Sequence, residues 1–577
     1  MNHPTRARVG AHPFRLADNG DGTYRNPVLN ADWSDPDCVR VGDDFYLTAS
    51  SFHRVPGLPV LHSRDLVNWT VIGHALTRLV PEQDFRTPQR GGGVWAPALR
   101  HHAGRFWIVY PDPDRGLFVT SAEDPAGKWT EPLLLKGGKG LIDPCPLWDE
   151  DGSAYLVHGW AKSRAGINNR LTVHRMSADA TELLDEGTVV IDGDELEGYR
   201  TLEGPKFYRR DGWYWIFAPA GGVSEGWQSA FRSRDPFGPY EGRIVLAQGA
   251  TEINGPHQGA WVDTPDGADW FLHFQDKGFL GRVVHLQPMS WSEDGWPVIG
   301  EGGEPVLEHA KPIGSVVVAA PATSDDFAEG FGHQWAWQAN PKPHWIDDVG
   351  AGADVDADPA FGGGLRLNCV PGPQDLRFLP NLLGQRLPSD DFRAEVTMRL
   401  DGAELGDRAG LAVVGDTYAW IGLERNEIGT ALVYRTAEDG AETEAAEPVA
   451  IEGPVTLTVE VEPGGLCRFT AAQHGGDSER AGRRIQNPYS VGSNPTRATD
   501  AVRSEPFQAT AGRWVGAALG LFASSGGATV VGAPTTGATV PSGVSVSAGA
   551  PGTPSTSPIG SAVFGPFIVE ARSGDHG

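Results

Sequence analysis

The chain has 577 residues, more than one hydrophobic core accommodates, so at least two domains are expected. Its hydrophobic content of 40% and charged content of 21% are those of a globular protein, and its net charge of −27 repels phosphates, which excludes nucleic acid and anionic membrane surfaces as expected partners. Four cysteines, Cys38, Cys145, Cys369 and Cys467, stand far apart with no CxxC pair, giving neither a disulfide framework nor a zinc site and reading as free thiols of a reducing compartment.

Residues 1–23 are polar and are expected to form a flexible lead-in with no apolar stretch of signal-peptide length. No run approaches the ~20 apolar residues of a membrane helix. A cytoplasmic location is the expectation that follows. From Tyr24 a unit begins to recur. Asp35-Pro36-Asp37 leads through Val39 and Val41 to a Gly-Asp-Asp turn and then Phe45-Tyr46-Leu47. The second copy opens at Trp95-Ala96-Pro97, the third at Asp143-Pro144, the fourth at Glu203-Gly204-Pro205 and the fifth at His257-Gln258-Gly259. The fourth is the clearest. Lys206-Phe207-Tyr208 and Trp213-Tyr214-Trp215-Ile216-Phe217 flank Asp211-Gly212, the signature of a tight hairpin.

The heading residues 35, 95, 143, 203 and 257 are spaced by 60, 48, 60 and 54. A period near fifty with several short strands per period predicts a β-propeller, here of five blades over residues 24–310. A β-sandwich with coincidental spacing is the competing architecture. In a propeller the first strand of each blade lines the axis, so the five heading residues would converge there. Residues 311–324 read as a linker. Residues 325–577 show period-two alternation, as in Phe392–Leu400 and Val455–Val461, and are expected to form a concanavalin- or jelly-roll-like β-sandwich. Two stretches near 474–504 and 525–561 are polar or small-residue-rich and are expected to be insertions in it. The whole is all-β.

Asp35, Asp143 and Glu203 head three copies. Acid–base hydrolysis of a glycosidic bond needs a proton donor for the leaving oxygen and a base for water, and a third carboxyl can hold the donor's proton by like-charge repulsion. A single such acid is more often a turn cap; three of them at the heads of repeats favour chemistry. Arg282 could clamp a carboxylate or sugar hydroxyl or simply face solvent. His257 reads as a hydrogen-bonded core histidine or a ligand of a central ion, and Phe52 and Trp95 as core aromatics or sugar platforms.

These motifs together, with Ser34-Asp35-Pro36-Asp37, Ile142-Asp143-Pro144, Leu202-Glu203-Gly204-Pro205-Lys206, Gly255-Pro256-His257 and Gly281-Arg282, resemble glycoside hydrolase family 43. The segment after 325 resembles the accessory sandwich of its β-xylosidase-like branch, from which the two insertions depart. The resemblance implies an inverting, exo-acting hydrolase of β-xylosides or α-L-arabinofuranosides, with Asp35 as base, Glu203 as acid and Asp143 tuning it. It implies Arg282, Phe52, Trp95 and His257 as substrate-binding residues. It requires no cofactor, and leaves open a structural calcium at the axis reached from His257 through water. The expected partner is a short oligosaccharide or aryl glycoside, with a homo-oligomer left open. A carbohydrate-binding protein without turnover, of the same fold, is the alternative.

Overall fold

The computed structural model describes residues 16–314, 317–347, 364–473, 502–526 and 560–572. The proposed insertions at 474–504 and 525–561 lie almost wholly outside the described residues, as do residues 1–15 of the lead-in.

Five four-stranded antiparallel sheets follow one another along the chain, each built from consecutive strands. They are blade 1 (37–76), blade 2 (98–137), blade 3 (141–192), blade 4 (206–247) and blade 5 (257–299). Their innermost strands are Asp37–Val41, Ala98–His102, Leu141–Trp148, Lys206–Arg210 and His257–Asp263. Five separate apolar cores lie between neighbouring blades, which is what a closed five-membered ring requires. Val60 and Leu99 meet between blades 1 and 2, Val119 and Leu156 between 2 and 3, and Val173 and Phe207 between 3 and 4. Phe217 and Phe271 meet between blades 4 and 5, and Leu47 and Leu272 close the ring between 5 and 1.

Closure is reinforced by short ties. Thr23–Arg25 pairs with Glu308–Ala310, and the Tyr24 hydroxyl donates to the Leu286 carbonyl at 2.8 Å. The lead-in expected to be flexible up to residue 23 is anchored from Asp18 onward. The buried Lys311 ammonium donates to Asp18 at 2.5 Å and lies 2.9 Å from Asp65, and Asn68 also donates to Asp18. A buried cation needs paired carboxylates, and the chain before the first strand supplies one.

Two residues along the inner strands from the acids, the axis is filled by a buried polar network. Arg100 donates to Asp37 at 2.7 Å and to the Cys145 sulfur at 2.8 Å, and Lys206 donates to the Pro97 carbonyl at 2.7 Å. All four cysteines are free and buried.

The second half is a sandwich of a nine-stranded and a seven-stranded sheet. The seven-stranded sheet sets Leu365–Asn368, Ser561–Glu570, Phe392–Asp401 and Val455–Glu462 side by side. The nine-stranded sheet is centred on Ala518–Ser525, Arg408–Val414 and Tyr418–Asn426. The sandwich docks on blades 1 and 5. Val55 and Trp337 exchange backbone hydrogen bonds, and Leu280 and Val283 of blade 5 belong to the sandwich core.

Candidate active site

Irregular backbone at the start of the inner strands places the acids: a turn before the strand in blades 1 and 4, and a bulge inside Leu141–Trp148 in blade 3. Asp35 and Asp143 adopt the left-handed conformation, with φ of +56° and +55°, immediately before a proline. Gly204 (φ +60°), before Pro205, and Gln258 (φ +33°), before Gly259, take the same conformation in blades 4 and 5. For a non-glycine residue this conformation costs roughly 1–3 kcal/mol, a strain that recurs where a side chain must be aimed at a site. The register differs from that expected of matched repeat positions. Glu203 and His257 each stand one residue before the left-handed residue, whereas Asp35 and Asp143 are that residue.

Asp35 is 4% exposed. The Arg282 guanidinium donates to its Oδ1 at 2.9 Å, while the Ser50 and Ser34 hydroxyls donate to Oδ2 at 2.6 and 3.1 Å. Arg282 also donates to Ser34 at 2.7 Å. Asp143 accepts the Gly204 N–H at 2.8 Å, which fixes the turn carrying Glu203. Burial, and then the neighbouring Glu203 and Asp35 carboxyls, push the Asp143 carboxyl well above the ordinary carboxylate range. Glu203 is more open, its side chain 30% exposed, and its Oε1 lies 3.0 Å from the Nε2 of the buried His257. Asp35 with Arg282, and Asp143 with the Glu203 turn and His257, thus form two hydrogen-bonded sets close enough that Glu203 and Asp35 both act on the Asp143 carboxyl.

Trp95 is half-buried, and its indole N–H donates to the Gly91 carbonyl at 3.1 Å. Phe52 exchanges backbone hydrogen bonds with Val94, the residue before Trp95, and is 3% exposed, so its ring is packed more than open. Residues that the sequence did not single out complete the site. Ser34 and Ser50 supply donors to Asp35. The Asp32 carboxylate accepts the backbone N–H of Arg282 and of Gly516 from the sandwich, both at 3.0 Å. A sandwich loop carries Trp514 to within 6.2 Å of the Trp95 ring, edge-on. That loop and Arg282, Asp276 and Gly281 line an open cavity of about 390 Å³.

The site offers calcium no set of direct ligands, which bears on direct coordination and not on the water-mediated contact expected of His257. Among the described residues no three His, Cys, Asp or Glu side chains converge as ligands. His257 has Nε2 committed to Glu203, whereas Ca²⁺ takes six to eight oxygens. No step below is assigned to a metal.

A five-bladed ring that gathers three carboxyls, an arginine and a histidine at its axis is the layout of a glycoside hydrolase. The chain matches the profile of Glycosyl hydrolases family 43 over residues 24–297 and that of the Beta xylosidase C-terminal Concanavalin A-like domain over residues 324–533. It is 42% identical over 414 residues to a protein of Xylanibacter ruminicola whose assignment as a β-xylosidase is itself provisional; the match covers 70% of this chain and 73% of the relative. It is 30% identical over 464 residues to a non-reducing end α-L-arabinofuranosidase of Bacteroides ovatus, covering 76% of this chain and 83% of the relative. The fold superposes on a xylan β-1,4-xylosidase from Bacillus halodurans with a TM-score of 0.76 at 23% identity, covering 95% of this chain and 99% of that one. The chain belongs to glycosyl hydrolase family 43, with the family's C-terminal sandwich.

Proposed function

We propose that the protein is an inverting exo-glycosidase that removes terminal β-D-xylosyl or α-L-arabinofuranosyl residues from short hemicellulose-derived oligosaccharides. The observation that carries this reading is the gathering of three carboxyls, two of which act on the third, with Arg282 on Asp35 and His257 on Glu203. Asp35 is the base. Its donors from Arg282, Ser34 and Ser50 hold it rigidly while it takes a proton from the attacking water. Glu203, the most open of the three, is the acid that protonates the departing oxygen, and His257 fixes the oxygen it does not use. Asp143 holds the Glu203 turn through Gly204, which orients the acid toward the departing oxygen.

The sandwich loop supports exo action. Trp514 lines a cavity of about 390 Å³ beside Arg282 and its ring meets that of Trp95, so the loop stands where a long polymer would have to pass and suits the end of a short chain. The test is stereochemical. Hydrolysis of 4-nitrophenyl β-D-xylopyranoside and α-L-arabinofuranoside is followed by proton NMR, and the first-formed sugar should have the inverted anomeric configuration. Retention, or binding of both substrates without release, would overturn the reading.

A further inference from the structure

The seam between propeller and sandwich holds a second cavity, and none of its lining residues belongs to the catalytic group. Ser51, Arg54 and His74 line it from the propeller, and His333, Gln385 and Arg386 from the sandwich side. No carboxylate lines it. It has space for little more than one water-sized occupant, about 20 Å³.

The charges around it are unbalanced. The Arg54 guanidinium has no hydrogen bond or ion pair among the described residues, and the one acid that acts on it is Asp32. Arg386 gives its Nε–H to the Asp32 carbonyl at 2.5 Å and lies 4.0 Å over the Trp33 ring, which leaves its two terminal nitrogens without acceptors among the described residues. The Asp32 carboxylate is already engaged by two backbone N–H groups. His74 and His333 face each other at 5.9 Å. Burial pushes His74 down to about 3 and lowers His333 as well, so both are neutral rings able to donate an N–H without adding charge. Burial, and then the nearby Arg54, push Arg386 down to about 10, the mark of two guanidiniums repelling across the seam.

We propose that this cavity binds one small inorganic anion of the chloride class, bridging Arg54 of the propeller to Arg386 of the sandwich. Water would satisfy the donors but leave two partly buried positive charges facing each other; a monovalent anion supplies the missing countercharge in the same space. Phosphate and carboxylate ligands are too large for it. The bound anion clamps the two domains together.

The test uses the full-length protein. Crystals are soaked in sodium bromide and the anomalous signal is mapped. Thermal unfolding is followed in sodium bromide or chloride against sodium gluconate at equal ionic strength, gluconate being too bulky for the cavity. The expected result is an anomalous peak between the two guanidiniums and a melting temperature higher by about 2–4 °C in saturating halide. Arg54→Gln should lose that halide increment. If Arg54→Gln does not fold, Arg386→Gln and the wild-type bromide map carry the decision. No peak in the cavity overturns the proposal. So does a peak with equal melting temperatures in halide and gluconate, which would mean an adventitious ion only, and so does a halide increment that survives the substitution.

Discussion

Asp143→Asn is expected to remove most activity and yet make the protein more stable, and the size of that gain follows from the surroundings of the carboxyl. Asp143 is 3% exposed, has the Gly204 N–H as its donor at 2.8 Å, and feels both Glu203 and Asp35. Unit charges 4–8 Å apart at an effective dielectric of about 20 repel by about 2–4 kcal/mol. Burial adds to the bias against ionisation, and the native carboxyl is raised well above its ordinary value. Near pH 4 the carboxyl is protonated in the folded chain and only about half ionised in the unfolded one, and the penalty is small. As pH climbs from there through the raised native value, the unfolded chain ionises freely while the folded one resists, and stability is lost. Asparagine has the same shape, stays neutral and still offers an oxygen to Gly204. The variant should match the wild type near pH 4 and exceed it at pH 8 by about 2 kcal/mol, or about 4–8 °C in melting temperature. Calorimetric scans of both proteins from pH 4 to 8 test this. A gap that does not change with pH, or a variant less stable at pH 8, refutes the claim that Asp143 is held against like charge.

The other predictions concern turnover. Asp35→Ala should lower kcat by about 10²–10⁴-fold on every aryl glycoside, because the base is needed whatever the leaving group. Glu203→Ala should retain far more activity on 2,4-dinitrophenyl glycosides than on unactivated xylobiose; equal losses would count against its role as acid. His257→Ala releases Glu203 Oε1, now held at 3.0 Å, and should cost roughly 10²-fold in kcat on poor leaving groups with little change in KM. Trp514→Ala removes one wall of the cavity and should raise KM by about 2–10-fold while leaving kcat nearly unchanged, the usual worth of one aromatic contact. Steady-state kinetics on a substrate panel reads all four, and a Trp514 effect confined to kcat would refute the binding role.

The propeller is legible in the sequence because each blade solves the same problem at the same interval. An inner strand must start at the axis, and the irregular backbone there needs proline, glycine or a short acid, so Asp35-Pro36, Asp143-Pro144 and Gly204-Pro205 stand out. The one-residue offset of Glu203 was not legible, since it depends on which residue of the turn takes positive φ. In the sandwich, strands were readable where one sheet face is wet. Phe392–Asp401 alternates buried and half-buried positions along its length. Residues 408–413 and 418–423 of the neighbouring strands Arg408–Val414 and Tyr418–Asn426 are buried without a break. Their sheet has the main core on one face, and Leu376, Leu379 and Leu382 packed with Trp420 and Phe522 on the other. With no wet face there is no alternation to read.

The site residues divide along the same physical line. Those aimed by a blade's own turn carry a local mark and were found. Those supplied from elsewhere, such as Trp514, carry none, because the sandwich loop reaches the axis only once both domains are packed. Arg282 shows how tightly the two are joined. Leu280 and Val283, on either side of Arg282 in the chain, are buried in the sandwich core. The Arg282 N–H is held by Asp32, whose carboxylate also takes the sandwich N–H of Gly516 and whose carbonyl takes Arg386. The strand that presents Arg282 to Asp35 is therefore braced from the sandwich side. The sandwich is part of the frame that sets the distance between Asp35 and Arg282, and a substitution in its core near Leu280 can shift that pair without touching substrate.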